Sequence, residues 1–265
     1  MSTTHAPKAL FFDVFGTAVD WRSSIHRALT TRVRAALADD ASRPLPQLVR
    51  DNASSLTDED WHVFAQEWRD SYGAFTRSYH PATHHEFVSV DQHHLDSLRD
   101  LLRQWHLDGL FSEEETRALS LDWHRLDPWP DSTEGLRRLG TKFPTSTLSN
   151  GNTSLLKDLA EHGPLPFTHI IGAEDFKAYK PAAEVYDGAA RKLGLEPEQC
   201  ALVAAHLSDL KAAKGRGYQA IYVERRQEEK YTDEEIAQAK QDGWVDQWVS
   251  LEEDGFREVA RRLGV

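Results

Sequence analysis

The fold is decided by residues 9–21, ALFFDVFGTAVDW, in which a short apolar run ends in the carboxylate of Asp13. A run of this length, rich in aromatic residues, is typical of a buried strand in a parallel sheet. Gly16 and Thr17 break the run, so Asp13 is predicted at the carboxyl end of the strand, where ligands bind in open α/β sheets. Asp13 is therefore a candidate nucleophile, and the alternative is an Asp that only caps the following turn.

The composition predicts a globular protein that does not bind polyanions. The chain has 265 residues, 40% of them hydrophobic, which is enough for one α/β domain with an insertion or two modest domains. A formal net charge of −12 argues against general affinity for nucleic acid or anionic membranes, and no apolar run approaches a membrane span. One cysteine, Cys200, fits a reducing compartment. Because the first residues lack a signal-peptide core, the expected location is the cytoplasm.

The pattern between residues 21 and 127 is helical. Residues 39–56 are polar and interrupted by proline, which predicts a loop or helix junction. Apolar spacing and capping residues predict helices over 23–37, 57–74, 90–105 and 112–123.

From residue 132 onward, predicted helices alternate with strands, one of them over 169–173. This alternation implies right-handed crossovers and a parallel sheet. The predicted fold is α/β, a doubly wound parallel sheet with a Rossmann-like core formed by residues 1–20 and 128–265. A helical cap domain, residues 21–127, is inserted after the first strand.

Polar side chains follow other predicted strands and lie at the same edge of the sheet as Asp13. Ser149 and Asn150 follow one strand and could hold an anion, although Ser-Asn-Gly is also a common turn. Lys180 could keep Asp13 ionised, the alternative being an exposed lysine. His206 and Asp209 follow ALVAA, where Asp209 is either a catalytic partner or a helix cap.

Four segments in chain order resemble the motifs of the haloacid dehalogenase superfamily, and within it the type II (S)-2-haloacid dehalogenases. The segments are FFDVFGTAVDW, TLSNGN, YKPAAEVY and VAAHLSDL, and the likeness covers essentially the whole chain. Phe15 decides the subclass. In the superfamily that this chain resembles, phosphatases carry a second Asp two residues after the nucleophile, and that Asp protonates the leaving alkoxide. Phe15 cannot transfer a proton, and a halide leaving group needs none.

The resemblance implies that Asp13 displaces the halide from a short (S)-2-haloacid with inversion and forms an aspartyl ester. Water then cleaves the ester at the Asp13 carbonyl and releases the (R)-2-hydroxyacid. Thr17, Ser149 and Lys180 are implied to position Asp13 and the ester, with Ser149 also holding the substrate carboxylate. Asp209 is implied to orient water or Lys180.

A second group of residues is implied to bind the substrate and the halide. Arg69, in EWRDSY, corresponds to the family's halide-binding arginine, with an exposed arginine as the alternative. Asn150 joins Arg69 around the halide. Tyr186 and Phe15 wall the pocket, and Val14 belongs to the same substrate-binding set.

The fourth motif departs from the best-known members, which carry Ser and Asn where this chain has Ala204 and His206. His206 either replaces the Asn as a halide or carboxylate donor or helps to activate water, because an ionised imidazole has two donors. A histidine at the position of His206 resembles a subgroup of enzymes that accept fluoroacetate, which implies tolerance of fluorinated substrates.

No cofactor and no metal are expected for a dehalogenase of this type. The string GRGYQA at 215–220 fits a dinucleotide fingerprint, but it follows a predicted helix, which is the wrong context. Histidines in the predicted cap lack an HExxH pattern or cysteine partners that would indicate a metal site, namely His80, His84, His85, His93 and His94.

Two other functions stay open at this point. One is a magnesium-dependent phosphatase of the same superfamily, with Asp13 as nucleophile and Asp209 as a metal ligand. The other is a binding protein that keeps the fold without turnover. The expected partner is a small haloacid rather than nucleic acid or membrane, and the resemblance implies a homodimer.

Overall fold

Asp13 follows the second strand, counted from one edge, of a five-stranded parallel sheet. The computed structural model describes residues 6–39, 43–79 and 87–265. Its strands are β1 (Ala9–Phe12), β2 (Val19–Asp20), β3 (Asp127–Pro128), β4 (Thr145–Thr147), β5 (Cys200–Ala204), β6 (Gln219–Val223) and β7 (Gln247–Val249). The main sheet has the order β4-β1-β5-β6-β7, with every neighbouring pair parallel. Because the chain passes to opposite sides of β1, the sheet has a switch point there, where a ligand crevice is expected at the strand ends.

Helices flank this sheet and confirm the predicted α/β class. The register of β1 places Phe12 opposite Thr147 of β4 and Val203 of β5, so the polar residues that follow all three strands lie at one edge. The helices after β3 are α6 (Ser132–Leu139), α7 (Thr153–His162), α8 (Ala183–Lys192), α9 (Leu207–Lys214), α10 (Asp233–Asp242) and α11 (Gly255–Arg262).

The segment between β2 and β3 is helical in its described part. Thr57 and Ser112 begin two of its helices with capping boxes, in which each hydroxyl and the acid three residues later satisfy free backbone N–H groups. The helices are α1 (Trp21–Ala38), α2 (Gln47–Ser55), α3 (Asp58–Ser78), α4 (Val90–Gln104) and α5 (Glu113–Ser120), followed by a 3-10 turn at Leu121–His124. None of the described helices is both long and apolar enough to cross a membrane.

Helix α2 lies where the sequence predicts a loop or helix junction over 39–56, so that prediction was wrong for its second half. Only Val49 and Ala53 of α2 are buried, and their spacing of four residues puts them on one helical face. Two apolar residues among polar neighbours gave too weak a periodic signal.

The strand predicted over 169–173 was also wrong. This segment runs beside β4 but forms only isolated bridges, at His169 and Gly172. The Thr147 hydroxyl donates to the Ile171 carbonyl at 2.9 Å and accepts from the Ile171 N–H at 2.8 Å. At Ile171 a side chain thus takes the place of the backbone partner between the two bridges, and the chain then turns into a 3-10 helix at Ala173–Phe176.

Phe15 joins the sheet to an aromatic cluster in the helical segment. It is buried, and its ring lies 6.1 Å from the Trp123 ring, measured between centroids. Trp123 stacks on Trp21 at 5.9 Å and meets Trp68 edge-on at 5.4 Å. Burial of large aromatic side chains contributes strongly to stability. Phe15, two residues after the candidate nucleophile Asp13, therefore also packs in the core.

Candidate active site

Asp13 is nine-tenths buried and accepts hydrogen bonds on both carboxylate oxygens. Its Oδ2 accepts from the Thr17 hydroxyl at 2.7 Å and from Nδ1 of His206 at 3.0 Å, while its Oδ1 accepts from Lys180 Nζ at 2.9 Å. The Thr17 hydroxyl in turn accepts from the Ala205 N–H at 2.9 Å, which ties the end of β1 to the end of β5. The carboxylate is therefore held in a fixed orientation.

Lys180 bridges Asp13 to a second carboxylate. Its Nζ also donates to Asp209 Oδ2 at 2.6 Å, and the Tyr186 hydroxyl donates to Asp209 Oδ1 at 2.7 Å. Asp209 lies in the first turn of α9 without capping it through its side chain. Asp209 is therefore a hydrogen-bond partner of Lys180 and not a side-chain cap, while its catalytic role stays a prediction.

His206 also lies between two carboxylates. Its Nδ1 faces Asp13, and its Nε2 lies 3.4 Å from Oε2 of Glu228, whose side chain is only 5% exposed. Glu228 follows β6 and was not predicted, because it lies in a charged run, ERRQEEKY, that is typical of a solvated loop. The signal that could have found it is its position after the carboxyl end of a core strand. Asp13, Lys180, His206, Asp209 and Glu228 are called the Asp13 cluster below.

Charge pairing shifts the acid–base behaviour of this cluster. Burial raises the pKa of Asp13, but Lys180 and His206 outweigh it and hold that pKa well below its usual range. Burial lowers the pKa of His206, whereas its bonds to Asp13 and Glu228 raise it to about 9. The pKa of Lys180 is likewise raised, because Asp13 and Asp209 overcome burial. At neutral pH Asp13 is a carboxylate faced by two cations.

The Asp13 cluster opens into a cavity of about 270 Å³ between the sheet edge and helix α3. Arg69 from α3 reaches this cavity, and its guanidinium carbon lies 4.5 Å from the Tyr72 ring centroid and 5.5 Å from that of Phe15. Trp21 also lines the cavity, and its indole N–H has no hydrogen-bond partner among the described residues. The cavity thus combines a cation with aromatic walls.

The predicted site residues fall into two groups. Asp13, Lys180, His206 and Asp209 line the cavity together with the predicted substrate contacts Phe15, Arg69, Asn150 and Tyr186. Three others are absent from the described cavity lining: Val14, Thr17 and Ser149.

Those three residues are buried behind the cavity wall. Val14 is 1% exposed and packs in the core, and Thr17 reaches the site only through Asp13. The Ser149 hydroxyl accepts from the Gly151 N–H at 3.3 Å. Asn150 accepts the backbone N–H of Lys180 at 2.7 Å, so it fixes the segment that carries the lysine.

One group of metal-type ligands lies outside the cavity, on the helical segment. Ligand atoms of His26, Asp58 and His62 lie within 4.8 Å of one another. The two imidazole rings stack at 3.7 Å with an angle of 8° between their planes. Nitrogen lone pairs lie in the ring plane, and those of two parallel, stacked rings do not meet at one point, so this arrangement is an ion-pair and stacking contact. Of the histidines singled out in the sequence, His80, His84 and His85 lie outside the described residues.

A buried carboxylate at the switch point of a parallel sheet, bound by a lysine and a threonine, defines a class of hydrolase. A family model for haloacid dehalogenase-like hydrolases matches residues 7–217, and the chain belongs to this family. The resemblance stated from the four motifs is thereby confirmed.

Solved structures extend the comparison over nearly the whole chain. A defluorinating L-2-haloacid dehalogenase is 29% identical with a TM-score of 0.77, covering 98% of this chain and 96% of that one. A second L-2-haloacid dehalogenase is 32% identical with a TM-score of 0.78, covering 97% and 100%. The (S)-2-haloacid dehalogenase H-109 of Pseudomonas putida is 29% identical over 144 residues, 53% of this chain and 63% of that relative. The chain thus spans less than two thirds of this curated relative.

Proposed function

We propose that this protein hydrolyses short-chain (S)-2-haloacids to (R)-2-hydroxyacids through an ester on Asp13. The observation that carries the proposal is the replacement of a proton donor by Phe15, whose ring packs into an aromatic cluster beside an ionised, rigidly held carboxylate. A carboxylate of low pKa is a competent nucleophile towards carbon when the leaving group departs as an anion and needs no proton. The names of the relatives support the same reaction.

The cavity suits a small anionic substrate. Its volume of about 270 Å³ is below the 300–1,000 Å³ that is usual for sites of drug-sized ligands. Arg69 supplies a cation in an otherwise aromatic part of the wall, where its guanidinium carbon lies 5.7 Å from the ring centroid of Trp21. We assign this aromatic end to the departing halide, with Asn150 at its border.

A reaction without metal fits the contacts of Lys180. Its ammonium lies between Asp13 and Asp209, 2.9 Å and 2.6 Å from their oxygens, and neutralises both carboxylates. A magnesium-dependent phosphatase would need a cation shared by these two carboxylates and a proton donor at Phe15. These features favour the dehalogenase over the phosphatase.

The proposal includes the organisation of the chain. Residues 21–127 act as a cap domain that supplies Arg69 and Trp21, while residues 1–20 and 128–265 supply the nucleophile and its partners. The cytoplasm is the proposed location, since a single cysteine allows no intramolecular disulfide and fits a reducing compartment. A homodimer is the proposed assembly, and sedimentation equilibrium tests it.

The deciding experiment measures halide release from each enantiomer of 2-chloropropionate with EDTA present, and phosphate release from p-nitrophenyl phosphate with magnesium. We expect chloride from the (S) enantiomer alone, at a rate that EDTA does not change. Magnesium-dependent phosphate release without halide would establish the phosphatase instead. Fluoroacetate belongs in the same series, because one similar structure is that of a defluorinating enzyme. If neither halide nor phosphate is released from any of these substrates, the result would favour a binding protein.

A further inference from the structure

Glu228 is a buried carboxylate for which the fold makes specific room. Its Oε2 occupies the space beside Gly16, where a side-chain Cβ would come within 2.0 Å. Gly16 also has a φ of +81°, which side chains disfavour. Glu228 lines the cavity and approaches His206 Nε2 at 3.4 Å. A buried carboxylate is costly unless it is paired, and His206 is its pairing cation.

Contacts on both sides hold the segment that carries Glu228. Arg22 of α1 donates to the Gln227 carbonyl at 3.1 Å, and Lys230 Nζ donates to Asp70 of α3 at 2.8 Å. Both contacts join the loop after β6 to the helical segment. Glu228 therefore reaches the site from a loop that is fixed to both parts of the molecule.

The two oxygens of Asp13 differ in their hydrogen bonds, and this difference assigns their roles. Oδ2 accepts from both Thr17 and His206, whereas Oδ1 accepts only from Lys180 among the described residues. The oxygen with fewer donors is the better nucleophile, so Oδ1 forms the bond to the substrate carbon. Oδ2 then becomes the carbonyl oxygen of the ester, still facing Thr17 and His206.

Ester formation removes one of the two carboxylates that face His206. The negative charge of Asp13 leaves with the halide, and Glu228 becomes the remaining anion in contact with the imidazole. We propose that Glu228 is a positioning residue that keeps His206 an imidazolium in the ester, so that His206 and Thr17 stabilise the oxyanion that forms on Oδ2 during hydrolysis. This inference rests on the proposed dehalogenation and assigns a specific role in its second step.

The step balances in atoms and charge. Water oxygen bonds to Cγ of Asp13, and the carbonyl electron pair moves to Oδ2, where His206 and Thr17 donate to it. Collapse breaks the bond between Cγ and Oδ1, and Oδ1 leaves as the hydroxyl oxygen of the 2-hydroxyacid with one proton from the water. The other proton remains on the re-formed carboxyl group and is released to solvent because the pKa of Asp13 is low.

Other charges near His206 act through Asp13 or across the cavity. Asp13 at the end of β1 and Glu228 after β6 are its direct carboxylate contacts. Lys180 and Asp209 lie beyond Asp13, and Arg69 faces the cavity from α3. Replacing Glu228 by glutamine leaves these groups in place and changes only the anion that supports His206 after ester formation.

The test uses Glu228→Gln in the full chain with (S)-2-chloropropionate, between about pH 6 and about pH 10. Rapid quench measures halide from the first turnover, and intact mass measures the ester on the protein. We expect first-turnover halide close to wild type, accumulation of the ester, and an alkaline limb of ester hydrolysis that moves to lower pH by at least about one unit. At pH values above both alkaline limbs, a shift of about one unit slows hydrolysis about tenfold, and the rate recovers towards about pH 6.

Two further variants separate the loss of the Glu228 charge from a non-specific effect of substitution on the structure. Glu228→Asp keeps the charge with a shorter reach, and its alkaline limb is expected between those of wild type and Glu228→Gln. Glu224→Gln removes an exposed carboxylate from the same loop, whose Oε2 accepts the Leu251 N–H, and it should leave both steps unchanged.

Three results would overturn the inference. A shift of the acidic limb instead of the alkaline limb would make His206 a general base. Slower first-turnover halide release would place His206 at the leaving halide. An unchanged profile would remove Glu228 from the reaction. Wild-type protein that releases no halide would instead refute the proposed function, so the two failures are distinguishable.

Discussion

Two groups of buried ionised side chains in the described part of the chain are built in opposite ways. Arg225 binds Asp131 through two bonds of 2.6 and 2.7 Å and also donates to the Thr17 carbonyl, while Asp131 accepts the Phe256 N–H. Both side chains are nine-tenths buried and lie outside the described cavity lining. The Asp13 cluster instead faces a cavity and shares each cation between two carboxylates. The Arg225–Asp131 pair, called the closed pair below, fixes a loop. The Asp13 cluster is open to the cavity, and it can lose one charge during a reaction while its other groups remain paired.

Removal of the nucleophile gives the largest expected effect on activity. Asp13→Asn should lower halide release by at least about four orders of magnitude, because no carboxylate remains to form the ester. Lys180 and His206 each keep one carboxylate, so the free energy of unfolding should fall by less than about 2 kcal/mol. Chloride release and urea denaturation measure the two effects. Intact mass must first exclude deamidation to Asp, and retained activity in verified protein would end the nucleophile assignment.

The same kind of change in the closed pair should act on stability instead. Asp131→Ala leaves Arg225 buried without its carboxylate and should lower the free energy of unfolding by about 3–5 kcal/mol. Asp187→Ala is the matched control, because Asp187 forms an equally bidentate but more exposed pair with Arg216 and should cost at most about 1 kcal/mol. Equal losses in the two variants would contradict the distinction between closed and exposed pairs.

The closed pair also predicts a dependence of stability on pH. Burial raises the pKa of Asp131, but the bonds from Arg225 outweigh burial and lower it below its usual value. A depressed pKa in the folded state contributes stability that is full above about pH 4 and is lost as pH falls below that value. Urea denaturation at several acidic pH values should show a shallower decline for Asp131→Ala than for wild type. Parallel declines would assign the acid sensitivity to other carboxylates.

A smaller effect is expected at the cationic end of the cavity. Arg69→Lys keeps the charge but loses the planar group that lies over Tyr72, so kcat/KM should fall about tenfold to a hundredfold. Steady-state halide release with chloro- and bromopropionate measures the change. Arg34→Lys, on an exposed position of α1, is the control and should have no effect. An unchanged kcat/KM for Arg69→Lys would remove Arg69 from the halide site.

The smallest effect distinguishes two roles for Ser149. The resemblance assigns its hydroxyl to the substrate carboxylate, but the hydroxyl is buried and accepts the Gly151 N–H. Ser149→Ala should therefore cost about 1 kcal/mol of stability and change KM less than twofold. Thermal unfolding and the KM for chloropropionate decide between the roles, since a substrate contact would raise KM much more.

The sequence predicted the site best where a strand end defines it. Asp13 follows β1, while His206 and Asp209 follow β5, and the sheet register brings these two strand ends together. Lys180 comes instead from the segment before α8, which Asn150 fixes.

Glu228 also follows a core strand, but its position alone does not distinguish it from its charged neighbours. Several charged residues follow β6. Gly16, which is distant in the sequence, has no side chain and so leaves space for Glu228 to point into the site.

Secondary structure was missed where a side chain replaced a backbone contact or where few residues were buried. The hydroxyl of Thr147 bonds to both polar groups of Ile171 and interrupts the backbone pairing between the bridges at His169 and Gly172. Helix α2 buries only Val49 and Ala53. In both cases the secondary structure depends on contacts with distant parts of the chain. The local spacing of apolar residues therefore gives little indication of it.

The position of Trp21 gives the protein an optical readout of its own. The indole lines the cavity, and the guanidinium carbon of Arg69 lies 5.7 Å from its ring centroid. Bromide and iodide quench indole emission on contact, so an ion held at Arg69 should dim Trp21 selectively among the eight tryptophans of the chain. Product halide could then be followed leaving the cavity in real time, with no label attached.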